Sequence, residues 1–437
     1  MNVLLPYWRG VPERCFYQEI QSGIVAALVE FGHQAFRFPF QKRAPVEREE
    51  AALLVRLFTQ ARIDIVLDLA CWGFGLSRLS LPAVNGPSEA VFDRFGIAYV
   101  AWLFDQPCNQ QISGVTAGKH YALYPDLGHQ QQMRLIYPSV RLSGEAFAPP
   151  AVRLENDVTA SDWTASRPID VLYIGNLETQ AIERRWRTMP QAELPPFFEP
   201  GFCECLADRM LSDPDRPLHL CLQEVMTSFG KTAPAFNVRF HVSLVEHFLR
   251  HLYRQRAVSA LAQTGVRMQV VGAGWDALGL PSTVAITEVT DYDGIFRLAA
   301  QAKVCLDAST YLDGVNDRVF SYAINKSVCF TNANGYLRDV PDGSAGLRFQ
   351  EKQRLLRDLG EQAAQTVRSA HTWRHRIGTV LSAMRCSASG ALLRRPRTSC
   401  AERPLEANTT PVAVCVRRSR RCREASELLN AANGGLV

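Results

Sequence analysis

Lys303 to Tyr336 constrains the fold more than any other stretch of the chain: KVCLDASTYLDGVNDRVFSYAINKSVCFTNANGY. It opens with Val304-Cys305-Leu306, an apolar run of strand length. A polar loop follows over 307–316, with Tyr311, Asp313 and Gly314 as turn formers. Over 317–324, Val319, Phe320 and Ala323 share one helical face, and Asn316 or Asp317 supplies the N-cap. Val328-Cys329-Phe330 makes the next strand. Strand, loop, helix, strand implies a crossover and a parallel sheet. In such sheets a ligand sits beyond the carboxyl ends of the strands, where helix N-termini aim N–H groups and positive dipole at an anion. Arg318, in the first helical turn, adds a fixed positive charge suited to phosphate.

The same grammar opens the chain. Val3-Leu4-Leu5 leads to a loop from Pro6 to Arg14, a helix over 17–30 with Ile20, Ile24, Ala27 and Leu28 on one face, and a strand over 35–38. Tyr7, Trp8, Arg9 and Gly10 in that first loop offer an aromatic face and a charge at the cleft. A helix over 47–61 and strands over 64–69, 97–104 and 121–124 complete a first α/β domain, 1–150. Residues 151–168 are polar and aperiodic, a linker. A second α/β domain spans 169–364, with a helical insertion at about 178–264 that contains a long amphipathic helix over 242–262. A C-terminal helix at 365–385 follows. Residues 386–437 show no sustained apolar face and read as a basic, disordered tail.

Composition bounds the class. A chain of 437 residues, 47% hydrophobic and 21% charged, is an ordinary globular protein of two or three domains. No stretch reaches about 18 uninterrupted apolar residues, and the N-terminus lacks a signal pattern. The 12 Cys are scattered, several inside apolar runs, which fits a reducing cytoplasm. Residues 385–437 hold ten Arg, no Lys and four Glu, or +6; a total of +5 leaves −1 for the first 384 residues. The body is near neutral, which removes the main support for nucleic acid as a partner.

From Gly314 to Ala323 the chain reads G-x-x-D-R-V-F-x-x-A. With its flanking strands this resembles the donor half of GT-B glycosyltransferases, specifically the CgeB-type (spore maturation protein-like) group with a glycosyltransferase-1-like C-terminal domain. The resemblance is strongest over roughly 260–380 and thinner over 60–150. It implies two facing Rossmann-like domains that take a nucleotide sugar in the cleft between them, with Arg318 and the helix N-terminus at the diphosphate. The family usually carries Glu three residues after that Arg; here Ser321 stands there, a weaker ribose partner. In the family a strand ending G-x-G-W lines the donor cleft, which places Gly272, Gly274 and Trp275 there; Tyr311, Asn316, Asp317 and Tyr322 join the donor set. His371-Thr372-Trp373-Arg374-His375-Arg376 resembles the family's H-T-W-x-x-R helix, which crosses back to brace the first domain. The family also carries a D-x-P and then a D-x-x-H, matched by Asp105-x-Pro107 and Asp126-x-x-His129. An inverting transfer needs a base for the acceptor hydroxyl, and Asp105 and His129 are the candidates.

Other patterns carry less. Asp291-Tyr292-Asp293 precedes a helix, so capping explains it better than metal. His247 and His251 lie four apart on a helix, yet the sequence shows no third ligand, and a solvated face is the plainer reading. Gly230-Lys231-Thr232 has Val225 where a phosphate loop needs Gly. The expectation is a cytoplasmic hexosyl- or related transferase that uses a nucleotide sugar and no metal or other cofactor. Its acceptor is open: a saccharide, a lipid-linked glycan or a protein, with at most peripheral membrane association. The alternatives are a binding or structural protein on the same scaffold with catalysis lost, and a sugar-nucleotide epimerase or hydrolase.

Overall fold

The computed structural model describes residues 1–9, 16–40, 48–81, 89–110, 112, 118–154, 167–232, 236–288, 292–331, 349–388 and 414–416. The first sheet holds β1 (Asn2–Trp8), β2 (Gln34–Phe40) and β3 (Ile65–Leu69), with α1 (Phe16–Glu30) and α2 (Arg48–Ala61) between them. A short hairpin, β4 (Ser80–Leu81) and β5 (Glu89–Ala90), and α3 (Val91–Arg94) lead to β6 (Ala98–Trp102). Then come β7 (His120–Tyr124), α4 (Leu127–Ile136) and β8 (Gly144–Phe147). The sheet order is β2-β1-β3-β6-β7-β8, every pair parallel.

The second sheet starts with β9 (Ile169–Ile174). Three helices follow, α5 (Pro200–Ser212), α6 (Leu218–Ser228) and α7 (Val238–Ala262). Next are β10 (Met268–Val271), β11 (Val284–Thr287), α8 (Tyr292–Gln301), β12 (Ala302–Asp307), α9 (Asp317–Ile324) and β13 (Val328–Thr331). After α10 (Phe349–Ala370) and α11 (Trp373–Ala388), β14 (Val414–Val416) pairs with β13. The order β11-β10-β9-β12-β13-β14 is again parallel throughout. The chain direction across the sheet reverses between β9 and β12, and ligands of doubly wound sheets bind at the carboxyl ends of such strands. Beyond α11, only 414–416 of the tail lies within the described residues. Among the described residues no helix is long and apolar enough to cross a membrane.

Two helices tie the domains together. α7 has 25 residues, about 37 Å at 1.5 Å per residue. Its first half, with Val238, Val242, Val245 and Leu249, shares one apolar core with Leu4, Phe38, Val66 and Tyr99 of the first domain. Its last turns, Val258 and Ala262, pack with Val171, Val270 and Trp275 of the second. The inserted helices therefore lean on the first sheet through α4 while α7 anchors in the second. α11 does the converse: Trp373, Ile377, Val380 and Leu381 leave the second domain and pack against Ile20, Ile24 and Trp102. The Trp102 and Trp373 rings meet edge-on, centroids 5.6 Å apart. Burying an aromatic side chain of that size is worth about 3 kcal/mol.

The seam between the domains is polar and well bonded. Asp126, 4% exposed, caps α4 through Gly128 N (2.7 Å) and also accepts from Leu312 N (3.1 Å) and Asp313 N (2.9 Å) of the β12–α9 loop. Gly314 lies against that corner so closely that an added Cβ would stand 2.1 Å from the Pro125 carbonyl oxygen. One carboxylate thus satisfies three backbone donors from both domains. Asp126→Ala is expected to lower the unfolding free energy by about 3 kcal/mol, since it strands those donors. Urea denaturation reads the loss, and Asp126→Asn should recover part of it.

Candidate donor site at the β9–β12 crevice

Arg318 occupies the crevice where the chain reverses. Its Nη1 donates to the carbonyl of Ile174 at the end of β9 (2.8 Å), and its Nη2 lies 3.4 Å from Asp307 at the end of β12. Its Nε donates to Asn316 Oδ1 (3.2 Å). The local sequence explains the pose: Asn316 caps α9 by accepting from Arg318 N (2.8 Å), which fixes the first turn and directs the residue inward. A guanidinium has five N–H donors, so Arg318 keeps some of them for a ligand. Asp307 is buried, and neither carboxylate oxygen receives a well-formed hydrogen bond. Burial works against the Arg318 charge, but the Asp307 carboxylate outweighs it and holds the guanidinium protonated, well above its ordinary range.

Other groups of α9 are more occupied than the sequence suggests. The amides of Arg318 and Val319 bond to Asn316, so the helix end offers its dipole more than a row of free N–H groups. Asp317 is half-buried, and its Oδ2 lies 3.5 Å from the Tyr292 hydroxyl. Burial first, then the Asp307 carboxylate, push its pKa up to about 6, against the pull of Arg318. A raised carboxyl binds its proton more tightly folded than unfolded. The stability it contributes is complete below about pH 4 and is lost as pH climbs through 6. Asp317→Asn is therefore expected to match the parent in stability near pH 4 and exceed it at pH 7, as read by thermal melts across that range.

A second guanidinium reaches the same place. Arg254 of α7 donates from Nη1 to the Asn176 carbonyl (2.9 Å), just past β9, and its Nε has no partner. Burial lowers its pKa, Arg318 and Arg250 add to that by repulsion, and Tyr173 and Glu246 offset it in part. Arg250, one turn earlier, is paired with Glu246 (2.8 Å) and with Asp105 of the first domain. Glu246 also accepts from Asn109 Nδ2 (2.9 Å) and Thr310 Oγ1 (3.2 Å). Sequence reasoning missed this set. Its signal was the spacing of Glu246, Arg250 and Arg254, four residues apart along one face of α7.

Several candidates fall elsewhere. Trp275 is fully enclosed in the second domain's core and donates to the Gly175 carbonyl (2.7 Å), so it shapes the β9 exit loop and is no donor contact. Gly272 (φ 133°) and Gly274 (φ 85°) let that turn press on the same loop: a Cβ at 274 would stand 1.9 Å from the Leu177 carbonyl oxygen. Tyr322 is buried outright, and Ser321, 2% exposed, donates back to the Asp317 carbonyl (3.1 Å), so neither reaches a ribose. Tyr311 lies in the domain seam, its hydroxyl on the Phe104 carbonyl (3.0 Å) and its ring against His129 (5.2 Å).

The base candidates are displaced too. His129 is wholly buried, with no hydrogen-bond partner on either ring nitrogen, and burial holds it neutral. It cannot meet an acceptor hydroxyl from there. Asp105 is spent on Arg250 and on Gln106 N (2.8 Å), which makes it a latch across the seam. On the acceptor side, Tyr7 and Trp8 belong to β1 itself, not to the loop after it. The Arg37 guanidinium covers the Tyr7 ring at 4.8 Å, and Arg9 turns to Glu50 (3.4 Å). Gly10 lies outside the described residues, as does Asp291. At the first sheet's own reversal, beside β3, Ala70 and Cys71 both take positive φ (53° and 54°), a strained corner beyond a strand end. A groove of about 420 Å³ lined by Tyr124, Met133, Arg134, Tyr137 and Glu145 lies toward the β8 edge, away from both reversals.

Residues 250–382 match the family described as glycosyl transferase-like. No curated protein matches the chain as a sequence relative. Among solved structures it is similar to AviGT4, a glycosyltransferase involved in avilamycin A biosynthesis (14% identity, 89% of this chain and 98% of that one, TM-score 0.47). It is also similar to the catalytic domain of starch synthase IV from Arabidopsis thaliana bound to ADP and acarbose (8%, 89% and 99%, 0.45). A third is Anabaena Alr3699/HepE in complex with UDP and glucose (11%, 90% and 98%, 0.41).

Proposed function

We propose that this chain, glycosyl transferase-like over 250–382 and built of two doubly wound domains in the GT-B manner, moves a sugar from a nucleotide diphosphate donor to an acceptor in the interdomain cleft. The observation that carries the proposal is the seat of Arg318: one guanidinium bridging the ends of β9 and β12, in front of the N-terminus of α9. As the glycosidic bond to the diphosphate breaks, negative charge develops on the leaving oxygens. Preorganised cations in a partly dry crevice stabilise that charge without reorganisation. Arg318 and Arg254 supply two such charges, so the leaving group needs no metal ion. The narrower CgeB-type likeness rests on the Gly314–Ala323 motif and on the helix that begins at Trp373. The acceptor enters from the first domain's strand ends, near the Ala70–Cys71 corner.

The test is a panel of nucleotide sugars assayed for release of the nucleoside diphosphate, with binding followed by calorimetry. Release is expected with at least one donor. Arg254→Ala should weaken nucleoside diphosphate binding about 10- to 100-fold, the loss of one charge-assisted contact. No release and no binding of any nucleotide identifies a scaffold protein. Labelled sugar recovered as an isomer identifies an epimerase.

A further inference from the structure

The helix face that carries Arg250 and Arg254 has a neighbour that the glycosyl-transfer reading leaves unused. His247 and His251 stand one turn apart on α7, their rings 4.7 Å between centroids at 73°. Glu178, four residues past β9, folds back over them. Its carboxylate Oε2 lies 3.1 Å from His247 Nε2, and its backbone N donates to His251 Nδ1 (3.1 Å). One ligand atom from each of the three lies within 4.8 Å of the others. The sequence shows only the histidine pair; the fold brings the third group from a loop 69 residues away.

We propose that Glu178, His247 and His251 form a binding site for a divalent transition ion of the zinc class. Two imidazoles and one carboxylate are the donor set such ions prefer, whereas magnesium and calcium take oxygen ligands. Three protein ligands leave a fourth tetrahedral position for water or substrate. The exposure gradient suits that: Glu178 and His247 are 62% and 40% exposed, while His251 is 3% exposed and fixes the inner corner. Two features oppose the ion. Arg254 repels a cation, and His251 Nδ1 must release the Glu178 amide or turn its ring. The Glu178 charge and the two imidazoles outweigh them. An ion here ties the β9 exit loop, whose Asn176 carbonyl holds Arg254, to α7. The site is separate from the leaving-group charges, and its existence does not depend on the transferase reading.

The test is metal analysis and calorimetric Zn²⁺ titration of the full chain after chelation, with Co²⁺ as a spectroscopic stand-in. The expected result is one ion per chain, a rise in Tm on its addition, and a Co²⁺ spectrum without thiolate charge transfer. That last readout matters because the chain holds 12 Cys. The double variant His247→Ala/His251→Ala should bind at least about 100-fold more weakly, and Glu178→Gln about 10-fold. Circular dichroism confirms that both fold. Absence of stoichiometric binding, undiminished binding by the double variant, or a thiolate signature would overturn the site.

Discussion

Arg318→Ala is expected to cut donor turnover by about 10²- to 10³-fold, the scale of losing one preorganised charge at a leaving group. It should also destabilise the fold, because Asp307 is 2% exposed and pairs with Arg318. Removing one member of a buried pair leaves an uncompensated charge, at a cost of about 3–5 kcal/mol. The two effects separate in a double variant. Arg318→Ala/Asp307→Asn removes both charges, so stability should largely return while turnover and nucleoside diphosphate binding stay lost. If turnover returns with stability, the guanidinium serves packing alone. Arg318→Lys keeps the charge but not the three-way bridge to Ile174, Asp307 and Asn316, and should fall between.

Gly274→Ala is the other large effect, and it decides what the Gly-x-Gly-Trp turn is for. At φ 85° a side chain is strained, and the new Cβ would meet the Leu177 carbonyl oxygen at 1.9 Å. Backbone must move, at a cost of about 4 kcal/mol, in the range of the severest single substitutions. The melting of the second domain should therefore drop sharply, and donor affinity with it, because Leu177 and Gly175 belong to the loop that carries Asn176 and the Arg254 contact. A glycine needed only for close approach of a ligand behaves differently: binding falls while melting is unchanged. That outcome would return this turn to the donor surface.

Much of the frame was legible because it rests on short-range patterns. Apolar runs of strand length separated by helical periodicity announce parallel sheets, and Asn316 followed by a 3.6-period apolar face announces α9. The position of Arg318 in that first turn follows from the cap, so its place in the crevice was readable too. What failed was the facing of individual side chains. Trp275 and Tyr311 stand in loops past strand ends and Tyr322 on the helix that follows, places where aromatics also suit a ligand. All three are buried: Trp275 against the β9 exit loop, Tyr311 in the domain seam and Tyr322 in the core beneath α9. Asp105 and His129 failed for a related reason: whether a polar group meets substrate or a partner from the other domain is settled by contacts 145 residues apart, such as Asp105 with Arg250. The charged stripe of α7 was visible as spacing, but a stripe of that kind reads as a solvated face until a second domain is laid against it. Glu178 had no local signal; only the return of the chain past β9 sets it beside His247.

A nucleotide-soaked crystal is the most direct trial of the central claim. Density for a diphosphate is expected between the ends of β9 and β12, within hydrogen-bonding distance of both Arg318 and Arg254. A nucleotide bound in the groove beside Arg134 and Glu145, or a crevice still closed by Arg318 at saturating nucleotide, would contradict it.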